Sequence, residues 1–124
     1  FALETLTEQA FIGFTGLAWQ TYEAPFTPCV DMGWRLARKA WGMGYATEAA
    51  KRCLEYAFED LLLDEIKAVA PVVNKPSVRV MEKAGMKRLL SFKHPALRES
   101  PLLEDCICYG ITRERFLRKD LHRL

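Results

Sequence analysis

Gly42, Met43 and Gly44 stand directly ahead of Tyr45-Ala46-Thr47-Glu48-Ala49-Ala50, a run of helix-forming composition. Glycine has no Cβ, so a turn built on two of them can bring its backbone N–H groups against a ligand. A helix starting at once afterwards adds its own unpaired N–H groups and the positive end of its dipole. Residues 42–47 therefore form a candidate anion site, and a phosphate-bearing ligand is the chemistry they suit. Other glycine-loop chemistries match less of the pattern. The dinucleotide fingerprint wants Gly or Ala three positions after its second glycine, and the chain has Thr47 there. Asp64-Glu65 lies about 20 residues on, but it precedes the next apolar run, whereas the ribose-binding acid sits at that strand's far end. The nucleoside triphosphate loop needs Gly-Lys-Ser/Thr, which the chain lacks. A tight strand-to-helix turn with no ligand is the bland alternative.

Such a site needs a strand in front and a helix behind. Cys29 to Ala37 alternates loosely and reads as a central strand. Gly33 inside it is expected to weaken or bulge the strand, a device that splays neighbouring strands apart. Ala46 to Leu62 reads as a helix, with Ala46, Ala49, Ala50, Cys53, Leu54, Ala57, Phe58 and Leu61 forming one apolar stripe. Thr47 and Glu48 suit its first turn, and Tyr45 fits a pocket wall and a core aromatic equally. Glu65 to Val73 is the next strand, where Pro71 removes a ladder donor and ends the pairing on one side. Asn74 follows, then a short helix over Ser77 to Ala84 with Pro76 in its first turn and Gly85 as its stop.

The remaining stretches are plainer. Phe1 to Leu6 and Ala10 to Trp19 read as strands around a turn at Thr7-Glu8-Gln9, and Gln20 to Pro28 is a loop holding two prolines. Met86 to Phe92 and Asp105 to Thr112 are final strands joined by a loop around His94-Pro95. The tail from Arg113 to Leu124 is a basic, solvated helix and weak evidence for an acidic partner.

With 124 residues the chain is read as one domain over 1–124. Eighteen basic and sixteen acidic residues leave a net charge of +2, which argues against a nucleic-acid or anionic-membrane partner. No apolar run approaches the ~18 residues of a membrane span, and no secretory signal pattern is present. The four cysteines form no C-x-x-C pair, and His94 and His122 lack ligand spacing, so no metal is expected. Cys106 and Cys108 would share one strand face as small buried thiols. A reduced, cytoplasmic protein is expected.

Arg38-Lys39-Ala40-Trp41-Gly42-Met43-Gly44-Tyr45-Ala46-Thr47-Glu48-Ala49 resembles the acetyl-CoA pyrophosphate loop of the GNAT N-acetyltransferases, with Lys39 where that pattern has Gln or Arg. Asn74-Lys75-Pro76-Ser77-Val78-Arg79-Val80-Met81-Glu82-Lys83-Ala84-Gly85-Met86 is similar to a second segment of the branch that contains the ribosomal-protein N-terminal acetyltransferases. The resemblance implies an α/β (α+β) fold. Its central sheet would be mixed and mostly antiparallel, with splayed central strands and two or three flanking helices. Complete members of that family carry a further strand and two helices ahead of this point, so the chain is read as a piece of that domain or as completed by another chain.

The function implied is direct transfer of an acetyl group from acetyl-CoA, the co-substrate, to a primary amine on a small molecule or a protein N-terminus. A homodimer would be compatible with it. The resemblance places the coenzyme on Gly42, Met43, Gly44, Tyr45, Ala46 and Thr47, with Arg38 or Lys39 adding charge. Backbone groups of Trp34, Arg35 and Leu36 would meet the pantetheine arm and the carbonyl oxygen, and Asn74 would bond the arm. Many members carry a proton-donating Tyr where this chain has Met81. Ser77 is then the candidate acid, beside its reading as a helix-terminal hydroxyl, with Tyr109 as a further one. Asp31 is the candidate base. The loop with Tyr22, Glu23 and Phe26 would lie near the substrate entrance, although an unspecialised exposed loop is the simpler reading. A non-catalytic acyl-CoA-binding or oligomerisation module is the alternative function.

Overall fold

The computed structural model describes residues 2–4, 11–37 and 41–121. Six strands form one sheet: β1 (Ala2–Glu4), β2 (Phe11–Gln20), β3 (Cys29–Leu36), β4 (Glu65–Pro71), β5 (Lys87–Lys93) and β6 (Asp105–Thr112). Their order is β1-β2-β3-β4-β6-β5. Every neighbouring pair is antiparallel except β3 and β4, so the sheet is mixed and mostly antiparallel as expected. The Thr7–Gln9 turn lies outside the described residues.

Among the described residues three α-helices lie between strands, α1 (Tyr45–Glu55), α2 (Lys75–Lys83) and the single turn α3 (Pro101–Glu104), and α4 (Arg113–Leu121) follows β6. The apolar stripe of α1 does what its spacing dictates: Ala49, Ala50, Cys53 and Leu54 are buried. The expected helix to Leu62 is only partly α-helical, because Tyr56–Asp60 continues it as a wider π-helical turn that buries Ala57 and Phe58. In that turn Leu61 N–H reaches Tyr56 O at 3.0 Å, the five-residue reach of a π-helix.

The main core lies on one sheet face. Met32 of β3, Ile66, Ala68 and Ala70 of β4, and Ile107, Tyr109 and Ile111 of β6 pack there against Leu54 and Phe58, with Met81 from α2. Alternation along a strand sends every second side chain to the other face. Cys29, Asp31, Lys67, Cys106 and Cys108 therefore project away from α1, as a separate population outside that core.

The parting of β3 from β4 fixes the architecture. Their register contains a single pair, Asp31 with Lys67. Because the strands are parallel, the gap beyond that pair opens toward the C-terminal ends of both. Gly33 is not the cause, contrary to expectation: it pairs with Gly16 in an unbroken β2–β3 register. Nor does Pro71 end the pairing, which stops at Lys67 four residues earlier, while on the β6 side Pro71 is still in register with Cys106 and Val72 N–H reaches Asp105 O at 2.8 Å. Strand alternation then turns Pro71 toward the β3 side, where it has no N–H to offer.

Candidate functional site

The gap between β3 and β4 leads to the glycine turn. Gly42 and Gly44 have φ of 75° and 80°, the left-handed region that costs other residues strain. A Cβ added at either would meet nothing within 4 Å, so the glycines are required by backbone conformation while open space lies in front of them. The turn is not packed under other side chains, as Trp41 is 59% and Met43 62% exposed. Gly44 is the N-cap of α1 and gives no side-chain cap, and α1 forms its first backbone bond from Glu48 N–H to Gly44 O at 3.0 Å. The first-turn amides of α1 thus keep the unpaired donor character of a helix start. Trp41 ties the turn to the sheet, its Nε1 donating to Leu36 O at the end of β3 at 3.0 Å.

Beside Gly44 a cavity of about 350 Å³ is lined by Thr47, Glu48, Lys51 and Lys83. Two ammonium groups from two helices and one carboxylate thus border the helix start. Arg38 and Lys39, the expected sources of extra charge, lie outside the described residues.

On the β3 wall, Thr15 Oγ1 of β2 donates to Gly33 O at 2.9 Å. Residue 33 therefore faces β2, and alternation turns the backbone N–H and C=O of Trp34 into the gap. Leu36 follows the same alternation, whereas Arg35 turns its backbone toward β2. Trp34 keeps its ring partly buried against the core, while Arg35 is exposed. Asn74 and Ser77 meet at the start of α2: Asn74 Oδ1 accepts from Ser77 N–H at 3.3 Å and caps the helix. The cap uses the Ser77 amide, so its half-buried hydroxyl keeps its proton for another acceptor. Met81 is 1% exposed and Tyr109 6%, both committed to the core.

Asp31 stands at the apex of the gap, on the face away from α1. Gln20 Nε2 donates to its Oδ1 at 3.1 Å. Burial pushes its carboxyl above the ordinary value, while the Gln20 bond and nearby His94 pull it down. Lys67, its register partner, binds Glu65 Oε1 at 2.6 Å instead. Here Tyr22 and Phe26, named above for the substrate entrance, meet two residues assigned no role from sequence, Phe92 and His94. Tyr22 contacts His94 with ring centroids 4.3 Å apart, and Phe26 and Phe92 complete a four-ring cluster. The loop of Tyr22 is therefore anchored rather than merely exposed, and Thr27 Oγ1 lies 2.5 Å from Tyr22 O to hold its backbone. His94 Nδ1 accepts from Ala96 N–H at 3.1 Å, which leaves the ring proton on Nε2. Burial lowers His94 below its ordinary value, and Asp31 partly opposes that. All four cysteines are buried free thiols, and burial pushes Cys108 up to about 12. Among the described residues no three His, Cys, Asp or Glu gather as metal ligands, and no helix is long and apolar enough to cross a membrane.

Comparison with known proteins places this geometry among relatives. A family model described as an acetyltransferase (GNAT) domain matches residues 1–87. The chain is 36% identical over 93 residues to the FsC-acetyl coenzyme A-N(2)-transacetylase of Aspergillus fumigatus, covering 74% of this chain and 40% of that one. An acetyltransferase (GNAT family) structure from Bacillus anthracis superposes with a TM-score of 0.76 at 30% identity, covering 91% of this chain and 65% of the other. The ribosomal-protein-S5-alanine acetyltransferase of Vibrio fischeri shares the fold, with a TM-score of 0.75 at 19% identity over 93% of this chain and 61% of its own. The chain spans 43% and 40% of the lengths of the first two curated relatives it matches.

Proposed function

Because this chain belongs to the GNAT acetyltransferase family, we propose that the protein is an acetyl-CoA-dependent N-acetyltransferase acting on a primary amine, small or at a protein N-terminus. One observation carries the reading: a solvent-open glycine turn that starts a helix stands at the mouth of two parted strands. The names of the Aspergillus and Vibrio relatives support acetyl transfer as the chemistry.

Bound acetyl-CoA supplies the activated acetyl thioester. The chain's own residues do the rest. The amides of Gly42 to Thr47 suit a diphosphate, and Lys51 and Lys83 add positive charge beside them. The Trp34 N–H, turned into the gap, is placed to receive a carbonyl oxygen. A preorganised donor of that kind contributes ~3 kcal/mol to lowering an acyl-transfer barrier. Asn74, at the opposite side of the gap's mouth, bonds the pantetheine arm through its side-chain amide.

Proton handling falls to two groups. Asp31 takes a proton from the incoming ammonium, directly or through one water, and its upward-shifted carboxyl suits a base better than an ordinary aspartate would. With Met81 sealed in the core, Ser77 Oγ is the hydroxyl able to give a proton to a departing thiolate. The four free buried thiols fit a reducing compartment such as the cytoplasm.

The test is release of free CoA thiol across a panel of alkylamines, polyamines and peptides with free N-termini. Turnover on at least one class supports the reading. Tight acetyl-CoA binding with no turnover on any acceptor would favour a non-catalytic coenzyme-binding module instead.

A further inference from the structure

Trp41 holds a contact at the mouth of the gap that the glycine turn alone does not require. Its indole Nε1 donates to Leu36 O at 3.0 Å, reaching back five positions along the chain. The ring itself stays exposed, so burial does not explain where it sits. Among the described residues, no backbone–backbone hydrogen bond ties residues 41–44 to β3. The helix behind the turn is fixed independently, because Ala50 and Leu54 share the core with Met32 of β3. The indole bond therefore acts on the leading half of the turn, Trp41 to Met43, rather than on α1.

The side of β3 on which the bond falls matters as much. A Cβ added to Gly13 of β2 would lie 2.0 Å from Arg35 O, so Arg35 points its carbonyl at β2. Alternation then points the Leu36 carbonyl into the gap. Past the Asp31–Lys67 register pair, the gap edge of β3 carries an N–H and a C=O at Trp34 and again at Leu36. An extended ligand with its own amides pairs along such an open edge, and the pattern repeats every second residue. Two adjacent registers would then serve it equally. Trp41 removes that degeneracy: with Leu36 O taken, Trp34 is the one of the two that still presents a donor and an acceptor together.

Resting on the acetyl-CoA reading, we propose that Trp41 is a positioning residue for acyl transfer: its indole ties the glycine turn to the end of β3 and blocks Leu36 O, so that a coenzyme held by its diphosphate registers its amide-bearing arm on Trp34. The same side chain thereby sets the spacing between the diphosphate cradle and the Trp34 N–H. A ligand gripped at one end has no use for that spacing. One gripped at both ends loses affinity when the two grips are no longer held in register.

Trp41→Phe keeps a ring at the position and deletes the N–H. Because the bond is exposed and neutral, the melting temperature should move by no more than about 3 °C. Calorimetric titration compares acetyl-CoA, which carries both diphosphate and arm, with ADP, which carries the diphosphate alone. The expected result is acetyl-CoA binding weakened at least ~5-fold and ADP binding changed less than ~2-fold. Amide spectra of the labelled variant saturated with acetyl-CoA should keep the ligand-induced shifts at Gly44 and Thr47 and lose most of the shift at Trp34. Equal losses for the two ligands would overturn the proposal, as would undiminished acetyl-CoA affinity or a Trp34 shift equal to that of the wild type. Wild-type protein that binds acetyl-CoA but not ADP would overturn it too, since the turn would then hold no diphosphate by itself. Failure of the wild type to bind acetyl-CoA would remove the coenzyme reading along with it. Wild-type binding with shifts at residues 42–47 leaves that reading standing whatever the variant does, so the two fail separately.

Discussion

Asp31 and Lys67 are register partners across β3 and β4, yet the Lys67 ammonium sits 2.6 Å from Glu65 Oε1 and forms no salt bridge with the aspartate. Among the described residues, pairing within β4 leaves the half-buried Asp31 carboxylate with the Gln20 hydrogen bond and no salt bridge at the point where the strands separate. A fold selected only for stability would gain from pairing or removing that charge.

Replacing Asp31 should separate stability from activity. Burial raises its folded pKa above the ordinary 3.8, so the ionised form is disfavoured in the folded state at neutral pH. That cost disappears as pH falls through the folded value. Asp31→Asn should therefore melt higher than wild type at pH 7 and close to it near pH 4, while kcat/KM for an amine falls at least ~100-fold, within the range for a lost general base. Thermal melts at the two pH values and steady-state rates check both parts.

Gly44→Ala tests the turn. A non-glycine residue at φ of 80° costs of order 1 kcal/mol in backbone strain, and the added methyl group meets no protein atom within 4 Å. The loss of stability should therefore be small, whereas acetyl-CoA affinity should fall at least ~10-fold as the methyl enters the space the diphosphate needs. Calorimetry alongside denaturant unfolding distinguishes the two effects.

Much of this turn was readable from residue types alone. Two glycines before a helical stripe pointed to an open helix start, whereas Pro71 did not locate the parting of β4 from β3, which begins four residues earlier, after Lys67. Gly33 misled because a glycine inside a strand is equally compatible with a bulge and with regular pairing, and its partner Gly16 could be known only from the register. The contact between Tyr22, whose loop the resemblance had set near the substrate entrance, and His94 was unforeseen for a different reason. The two lie far apart along the chain and meet only because the loop after β2 packs over the end of β5. Local periodicity carries no information about such a contact, nor about Lys67 choosing Glu65 over Asp31 or Trp41 bonding Leu36 O.

The lysines beside the turn should act through charge. Lys51 and Lys83 border the Gly44 cavity together with Glu48. Lys51→Ala and Lys83→Ala should each weaken acetyl-CoA binding ~3- to 10-fold and flatten its dependence on salt, as expected for partly exposed charges facing phosphates. Glu48→Gln should act in the opposite direction, strengthening binding a few-fold. Affinities at low and high salt test the set.

The half-buried imidazole of His94 should give the fold an acid-sensitive limb. His94 titrates lower in the folded protein than its ordinary 6.5, so the unfolded chain binds more protons as pH falls. Stability linked to His94 is fully present above about 6.5 and is lost as pH drops through that value toward the folded one. Melting temperature should decline from pH 7.5 to pH 5, and His94→Gln should flatten that decline. Because His94 and Asp31 perturb each other, the same comparison in the Asp31→Asn background isolates the His94 contribution.

The central claim is that the coenzyme lies on the glycine turn and in the gap beside Trp34. Amide chemical-shift mapping during an acetyl-CoA titration of the isotopically labelled protein tests it most directly. The account expects the largest changes at Gly42, Gly44, Tyr45, Ala46, Thr47 and Trp34, with little effect at the edge strands β1 and β5. Saturable binding whose changes spare residues 42–47 would contradict it.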